Sequence, residues 1–478
     1  MQRYRSSISR AVVMNCRSRR LSHFHSSSRA LTNTKEPSND SDPLPDSPDS
    51  PLSMLFSALF SNSAESSAER ASVPGSKAFS DPLSVVAAEM TNLTTNIHML
   101  LGSGQRSLDA AAKYYVQSQG KHIRPLLVLL MSRASLAAPK REHAPNEFRV
   151  LPNVDENISP LDILRDFNPA KVITSIATTV RDHANAVAAA AAAAAASTNL
   201  DPAVEKIDPN TGVLPSQRRL AEITEMIHAA SLLHDDVIDD AEMRRGQPSG
   251  NFKFGNKMSI LAGDFLLGRA CVSLARLRNT EVTELISTAI VNLVEGEVMQ
   301  LKNTAPEDSL TGTATQATFK YYLDKTYLKT ASLMSKSCRS AAVLAGIRQD
   351  AVEAAYQYGR NLGMAFQLVD DLLDYTVSEA DLGKPAGADL QLGLATAPAL
   401  FAWYEYPELG PMIRRKFSQS GDVARARELV AASNGVEQTR MLAEKYSAEA
   451  RDALALFPES SAKEALVDMT YMVLNRRN

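Results

Sequence analysis

From Asp81 onward, apolar residues return every three or four positions, the period of a helix with one buried face. The clearest run is Val86, Met90, Leu93, Ile97 and Leu100, so order is expected to begin near Asp81 with an amphipathic helix. The same period recurs to the C-terminus, strand-like alternation is rare, and alanine, leucine and methionine dominate. The pattern therefore predicts an all-α fold with little or no sheet. It breaks between about 138 and 215, where Pro139, Pro145, Pro152, Pro160, Pro169, Pro202, Pro209 and Pro215 surround an unbroken alanine tract from Ala188 to Ala196. A connection that long inside a compact domain reads as a low-complexity insertion, with the alanines able to form local helix.

Upstream of Asp81 the chain has two further compositions. Residues 1–35 carry Arg3, Arg5, Arg10, Arg17, Arg19, Arg20 and Arg29, many serines, and no acid before Glu36. That is the composition of a mitochondrial transit peptide, with a basic surface arm as the alternative. Residues 36–80, rich in Pro, Ser and Asp from Pro37 to Pro51, read as a disordered linker. The folded domain is thus expected over 81–478.

Composition narrows the field only in part. A chain of 478 residues that is 44% hydrophobic can bury a large core. Its formal net charge of -3 argues against a nucleic-acid partner, so charge-based function must come from local clusters. Cys16, Cys271 and Cys338 are far apart and form no CxxC pair, which argues against a disulfide framework or a structural zinc. Outside the alanine tract there is no uncharged apolar run of about 18 residues, and no transmembrane helix is predicted.

The chemistry lies in two aspartate clusters. In LLHDDVIDDAEMRRG, Asp235, Asp236 and Asp239 form a DDxxD with Asp240 beside it. On a helix Asp235 and Asp239 project together; like charges at that spacing repel by a few tenths of a kcal/mol, a cost recovered when divalent cations sit between them and an anionic ligand. Alone, the motif reads equally as a solvated acidic helix. A second copy, Asp370, Asp371 and Asp374, lies in GMAFQLVDDLLDY. Helical spacing puts Gly363, Gln367, Asp370 and Asp374 on one face and Leu362, Phe366, Val369 and Leu373 on the adjoining buried one. The expectation is two acidic helix faces opposed across an apolar cavity, with magnesium and diphosphate between them. Basic residues are at hand. QGKHIRPLL supplies Lys121 and Arg124, Arg244 and Arg245 precede Gly246, and Lys325-Thr326 and Lys329-Thr330 repeat at an interval that puts both lysines on one α-helical face. The arginine pair also fits a helix C-terminus, where cations complement the dipole.

Taken together, GKHIRP, HDDVIDDAEMRRG, LKTASL, GMAFQLVDDLLDY and GKPAGADLQLG resemble the trans-isoprenyl diphosphate synthases, specifically the long-chain polyprenyl members that make quinone side chains. The resemblance runs from about Asp81 to Asn478, the insertion excepted. It implies antiparallel helices around a deep central cavity and a Mg2+-dependent prenyltransferase that adds isopentenyl diphosphate repeatedly to an allylic diphosphate. It also implies a homodimer or hetero-oligomer, with peripheral membrane contact at product release. The transit-peptide composition of residues 1–35 places the work in the mitochondrial matrix or on the matrix face of the inner membrane, and that location together with a long product points to ubiquinone. Carried over by position, Lys121, Arg124, His228 and Arg245 would hold isopentenyl diphosphate. Arg244, Lys329, Thr330, Gln367 and Lys384 would contact the allylic partner, and Asp235, Asp239 and Asp370 would bind the metal. The catalytic set would be Asp235, Asp239, Arg244, Lys329, Asp370 and Lys384. Ala230 and Ser231, about one turn before the first aspartates, are small where short-chain relatives place an aromatic plug, which implies an open tunnel and a hexaprenyl to decaprenyl product. Small residues there could instead serve close helix packing. One departure is Leu394 ahead of Ala395 and Thr396, where shorter-product relatives tend to have a lysine before the threonine. Two rivals remain: a terpene cyclase, which would not need Lys121 and Arg124 for a second diphosphate, and a non-catalytic partner subunit, which would not need both aspartate clusters.

Overall fold

The computed structural model describes residues 81–117, 122–141, 205–208, 212–244, 246–302, 312, 314–376 and 387–476. The expected transit peptide, linker and most of the insertion lie outside them, as do Lys121, Arg245 and Lys384. All described residues belong to one compact unit, Ser72–Asn478.

The described chain is helical as predicted. Its principal helices are α1 (Ala87–Leu100), α2 (Arg106–Gln117), α3 (Ile123–Ala137), α4 (Pro215–Ile238), α5 (Asn256–Arg276), α6 (Thr280–Lys302) and α7 (Gln316–Thr326). After a π-helical turn at Tyr327–Ala331 come α8 (Ser332–Leu344), α9 (Gln349–Thr376), α10 (Ala397–Glu405), α11 (Asp422–Ala432), α12 (Gly435–Ala453) and α13 (Ser461–Leu474). The one sheet among the described residues is a tiny hairpin, β1 (Met243–Arg244) with β2 (Gln247–Pro248), turned at Gly246 with φ 72°. Order begins where the pattern put it: the Asp81 carboxylate accepts from the Leu83 N–H, capping a short turn. Val86, Leu93, Ile97 and Leu100 are then buried, and Met90 is half-exposed.

Helix α4 threads the centre of the domain and is buried on nearly every side. Its buried Gln217 is satisfied accordingly: it accepts from the Leu214 N–H at 3.1 Å and donates to the Ala341 carbonyl at 2.9 Å. Helix α9 packs against α8 and α12 and buries Tyr358, Leu362, Ala365 and Leu368 completely. Its approach to the preceding elements depends on glycines: a Cβ on Gly359 would stand 2.7 Å from the Met334 carbonyl oxygen, and one on Gly363 2.7 Å from the Ala331 Cα.

Both ends of the insertion are tied to the domain. Arg141 donates to the Gly346 carbonyl and Arg348 to that of Pro139, while Glu205 accepts from the Ser216 backbone and hydroxyl, each at 2.7 Å. Helix α5 is long and apolar enough, by length and composition alone, to cross a membrane. Asp264 and Arg269 interrupt its apolar run. Here Ala262, Leu266, Ala270 and Leu274 are buried, and α4 is the main packing partner of α5.

Candidate active site

A pocket of about 250 Å³ opens between α4, α6 and the π-turn, with Arg124 of α3 at its edge. Helix α4 contributes His228, Ser231 and Asp235, whose spacings of three and four put them on one stripe. Leu232, Ile238, Leu293, Val294 and Leu333 make the apolar wall, and Glu297, Lys329 and Thr330 close the polar one. Arg124 Nη1 lies 3.0 Å from His228 Nε2, so two residues assigned by resemblance to isopentenyl diphosphate meet. Their neighbour His122 has a left-handed backbone, φ 40°, and its Nδ1 is 2.9 Å from Glu225 Oε1.

The first aspartates stand where α4 ends. The Asp239 N–H closes the last turn on the Asp235 carbonyl at 2.8 Å, and Asp240, at φ 48°, stops the helix. Burial lifts the Asp235 carboxyl to about 6, with Lys329 opposing and Glu297 adding to the rise; Asp239 is raised by the same causes. Asp236 faces the other way and is wholly buried. It accepts from the Tyr115 hydroxyl and from Arg244 Nε at 2.6 Å, and that hydroxyl accepts from the Gly250 N–H at 2.8 Å. Arg244, assigned to the allylic diphosphate, is therefore held by the motif's middle aspartate.

The second cluster departs from the sequence expectation. Asp371, not Asp370, turns inward: it accepts from the Tyr322 hydroxyl at 2.5 Å, Gln367 Nε2 at 2.9 Å and the Ala397 N–H at 3.4 Å. Burial lifts its carboxyl to about 6 against the hydrogen bonds from Tyr322 and Gln367. Asp370 has a side chain 43% exposed and pairs with Arg476 at 3.4 Å. That guanidinium also lies over the Phe366 ring at 4.8 Å. Asp374 is wholly buried and accepts from the Asp389 N–H. Gly363, Gln367, Asp370 and Asp374 lie on one stripe of the unbroken α9 helix, but that stripe meets different neighbours along its length, so Asp374 is buried while Asp370 stays partly exposed.

The π-turn joins the clusters. Its wide closure, Ser332 N–H to Tyr327 carbonyl, breaks the four-residue repeat expected to put Lys325 and Lys329 on one face. Lys325, 8% exposed, lies at the end of α7 beside Tyr322 and near Asp371. Lys329 pairs with Glu297 at 2.5 Å in the pocket wall. Thr330 donates to Gln367 Oε1 at 2.8 Å, so a chain of contacts runs from the pocket to Asp371. Of the two chain-length candidates, Ser231 lines the pocket, while Ala230 is fully buried and does not.

Two half-buried carboxylates one turn apart, lifted in pKa, are a hard oxygen donor set whose charge a divalent cation relieves. Among the described residues no three His, Cys, Asp or Glu converge on a point. Sequence reading missed Glu297, Asp371, Tyr322, Tyr115 and the anchoring role of Asp236. Asp371 stands beside Asp370 in the same motif, and nothing local to the sequence says which of the two the packing turns inward.

A family model described as polyprenyl synthetase matches residues 186–430. The chain is 58% identical over 397 residues to the probable hexaprenyl pyrophosphate synthase, mitochondrial, of Neurospora crassa, covering 83% of this chain and 82% of that one. It is 43% identical over 393 residues to decaprenyl-diphosphate synthase subunit 1 of Schizosaccharomyces pombe, covering 82% and 90%. Its fold resembles the crystal structure of polyprenyl synthase from Caulobacter crescentus complexed with calcium and isoprenyl diphosphate, with TM-score 0.61, 28% identity, and 83% and 97% coverage. With two aspartate clusters linked through Lys329 and Thr330 inside a matching helical fold, the chain belongs to the polyprenyl synthetase family.

Proposed function

We propose that this chain is a magnesium-dependent trans-polyprenyl diphosphate synthase making a hexaprenyl to decaprenyl product for the ubiquinone side chain in the mitochondrion. The observation that carries the reading is the π-turn, which offers Lys329 to the pocket beside Asp235 and Thr330 to the Gln367–Asp371 pair behind it. Residues 1–35 are the transit peptide, 36–80 a linker, and 81–478 the synthase domain with its insertion at about 138–215.

In this reading Arg124 and His228, with Lys121 and Arg245, hold isopentenyl diphosphate. Lys329, Thr330 and Gln367, with Arg244 and Lys384, hold the allylic diphosphate. Asp235 and Asp239 hold magnesium, and Asp370 joins them once Arg476 is displaced. Magnesium, when bound, offsets negative charge building on the departing diphosphate. The Lys329 ammonium adds fixed positive charge to those oxygens, already in place before the carbon–oxygen bond breaks. Leu232, Leu293 and Leu333 keep water from the allylic cation until the double bond of isopentenyl diphosphate attacks it. A carbon–carbon bond forms, and the released diphosphate accepts the proton then lost.

Association as a homodimer or hetero-oligomer is supported by exposed Val291, Val294, Val298 and Leu301, which recur at helical spacing along α6 beside exposed Ile260 and Leu261 of α5. The test is incubation of purified protein with Mg2+, an allylic diphosphate and labelled isopentenyl diphosphate, followed by sizing of the extracted lipid. A single long linear product is expected. A cyclised hydrocarbon formed without isopentenyl diphosphate would indicate a cyclase, and product only after adding a second subunit would indicate a non-catalytic or obligately hetero-oligomeric chain.

A further inference from the structure

We propose that Glu297 is a positioning residue for prenyl transfer, holding the Lys329 ammonium beside the Asp235 and Asp239 carboxylates so that it meets the allylic diphosphate on arrival; this rests on the reading of the pocket given above. Glu297 lies on α6 in the stretch EGEVMQL and is 9% exposed. Its Oε2 is 2.5 Å from Lys329 Nζ. Its Oε1 is buried and has no hydrogen-bond partner among the described residues. A buried carboxylate with one oxygen unsatisfied is disfavoured in a purely structural ion pair and is typical of a functional wall. The pair does face the pocket: both residues line it, and the Lys329 side chain is 25% exposed.

The backbone is built for this contact. A Cβ on Gly296 would lie 2.8 Å from the Lys329 nitrogen and 3.0 Å from its Cα, so only glycine lets α6 approach the π-turn this closely. Gly363 does the same from α9, where a Cβ would lie 2.7 Å from the Ala331 Cα. The turn that carries Lys329 is thus gripped on both sides, and Glu297, next to one gripping glycine, fixes the flexible lysine stem that the backbone alone leaves mobile. A charge already in place when substrate binds needs no reorganisation during bond breaking.

The test compares wild type, Glu297→Ala, Glu297→Gln, Lys329→Ala and the Lys329→Ala/Glu297→Ala double variant. Glu297→Ala is expected to lower kcat/KM for the allylic diphosphate by at least about tenfold while leaving KM for isopentenyl diphosphate unchanged. Glu297→Gln, which keeps an acceptor for the ammonium, is expected to recover most of that loss. The double variant is expected to be no worse than Lys329→Ala alone, because the two residues act as one unit. In calorimetry without turnover, inorganic pyrophosphate with Mg2+ is expected to bind Glu297→Ala more weakly than wild type. Additive losses, equal rises in both KM values, or unchanged pyrophosphate binding would overturn the proposal. Should Glu297→Ala fail to fold, Glu297→Gln and its double variant with Lys329→Ala carry the same additivity test. If wild type transfers no prenyl group, the reading of the pocket has failed; if only the Glu297 variants are silent, the positioning role alone has.

Discussion

The two DDxxD clusters each bury their middle aspartate against a tyrosine hydroxyl, Asp236 with Tyr115 and Asp371 with Tyr322, and differ in the aspartates on either side. At the end of α4, Asp235 lines the pocket and Asp239 follows one turn on, both half-buried, with their carboxyls raised by burial and by Glu297. In α9, Asp371 is saturated by Tyr322, Gln367 and Ala397, and Asp374 is bound to Asp389. In the first cluster Asp235 and Asp239 keep oxygens open to a ligand, whereas in the second Asp371 and Asp374 hold Gln367, the Ala397 N–H and the Asp389 N–H. Identical spacing on two helices therefore gives the same buried middle aspartate, and the packing around each helix decides how far the outer carboxylates stay open to a ligand.

Asp235→Asn breaks the comparison most severely. It should lower kcat by about a thousandfold or more, by removing a charge that holds the metal and hence the leaving group, with thermal stability retained or slightly raised, since a desolvated carboxylate is removed. Asp371→Asn should instead lower stability by about 1–3 kcal/mol, because the Tyr322 and Gln367 donors lose their charged acceptor; its measure is denaturant unfolding, and equal loss of metal affinity in both variants would erase the distinction. Next, Ser231→Phe should shorten the lipid product. Ala230→Phe should chiefly destabilise, by about 1–3 kcal/mol through overpacking, and product sizing beside a melting curve separates the two. The pH dependence follows from the raised carboxyl. With folded Asp235 lifted from 3.8 to about 6, the folded state holds its proton more tightly than the unfolded chain, so in the absence of a cation stability falls as pH rises through that window. Metal binding needs the ionised form, so Mg2+ affinity should weaken as pH falls through about 6, a trend that Asp235→Asn should flatten in a calorimetric titration. The smallest effect belongs to Arg476→Ala, which removes a partly exposed ion pair with Asp370 and should change stability by less than about 1 kcal/mol.

What could be read from the sequence follows from how local each signal is. The stripe from Val86 to Leu100, the start at Asp81 and the presentation of Asp235 with His228 depend only on helical period, and they stand in the structure. The split between Asp370 and Asp371 depends on which neighbours α9 meets on each side, information held far away at Tyr322, Ala397 and Arg476. A π-turn has the same residues as an α-helix with one extra position per turn, so YLKTA gave no local warning. Glu297 belongs to no recognised motif; only its partner Lys329 and the close approach at Gly296 reveal it.

The most direct measurement is an anomalous difference map from crystals grown with Mn2+ and a non-hydrolysable allylic diphosphate. The account predicts a manganese peak held by Asp235 and Asp239, with the diphosphate touching both the metal and Lys329. Manganese bound elsewhere, with those two carboxylates turned to bulk water and Lys329 still paired only with Glu297, would contradict it.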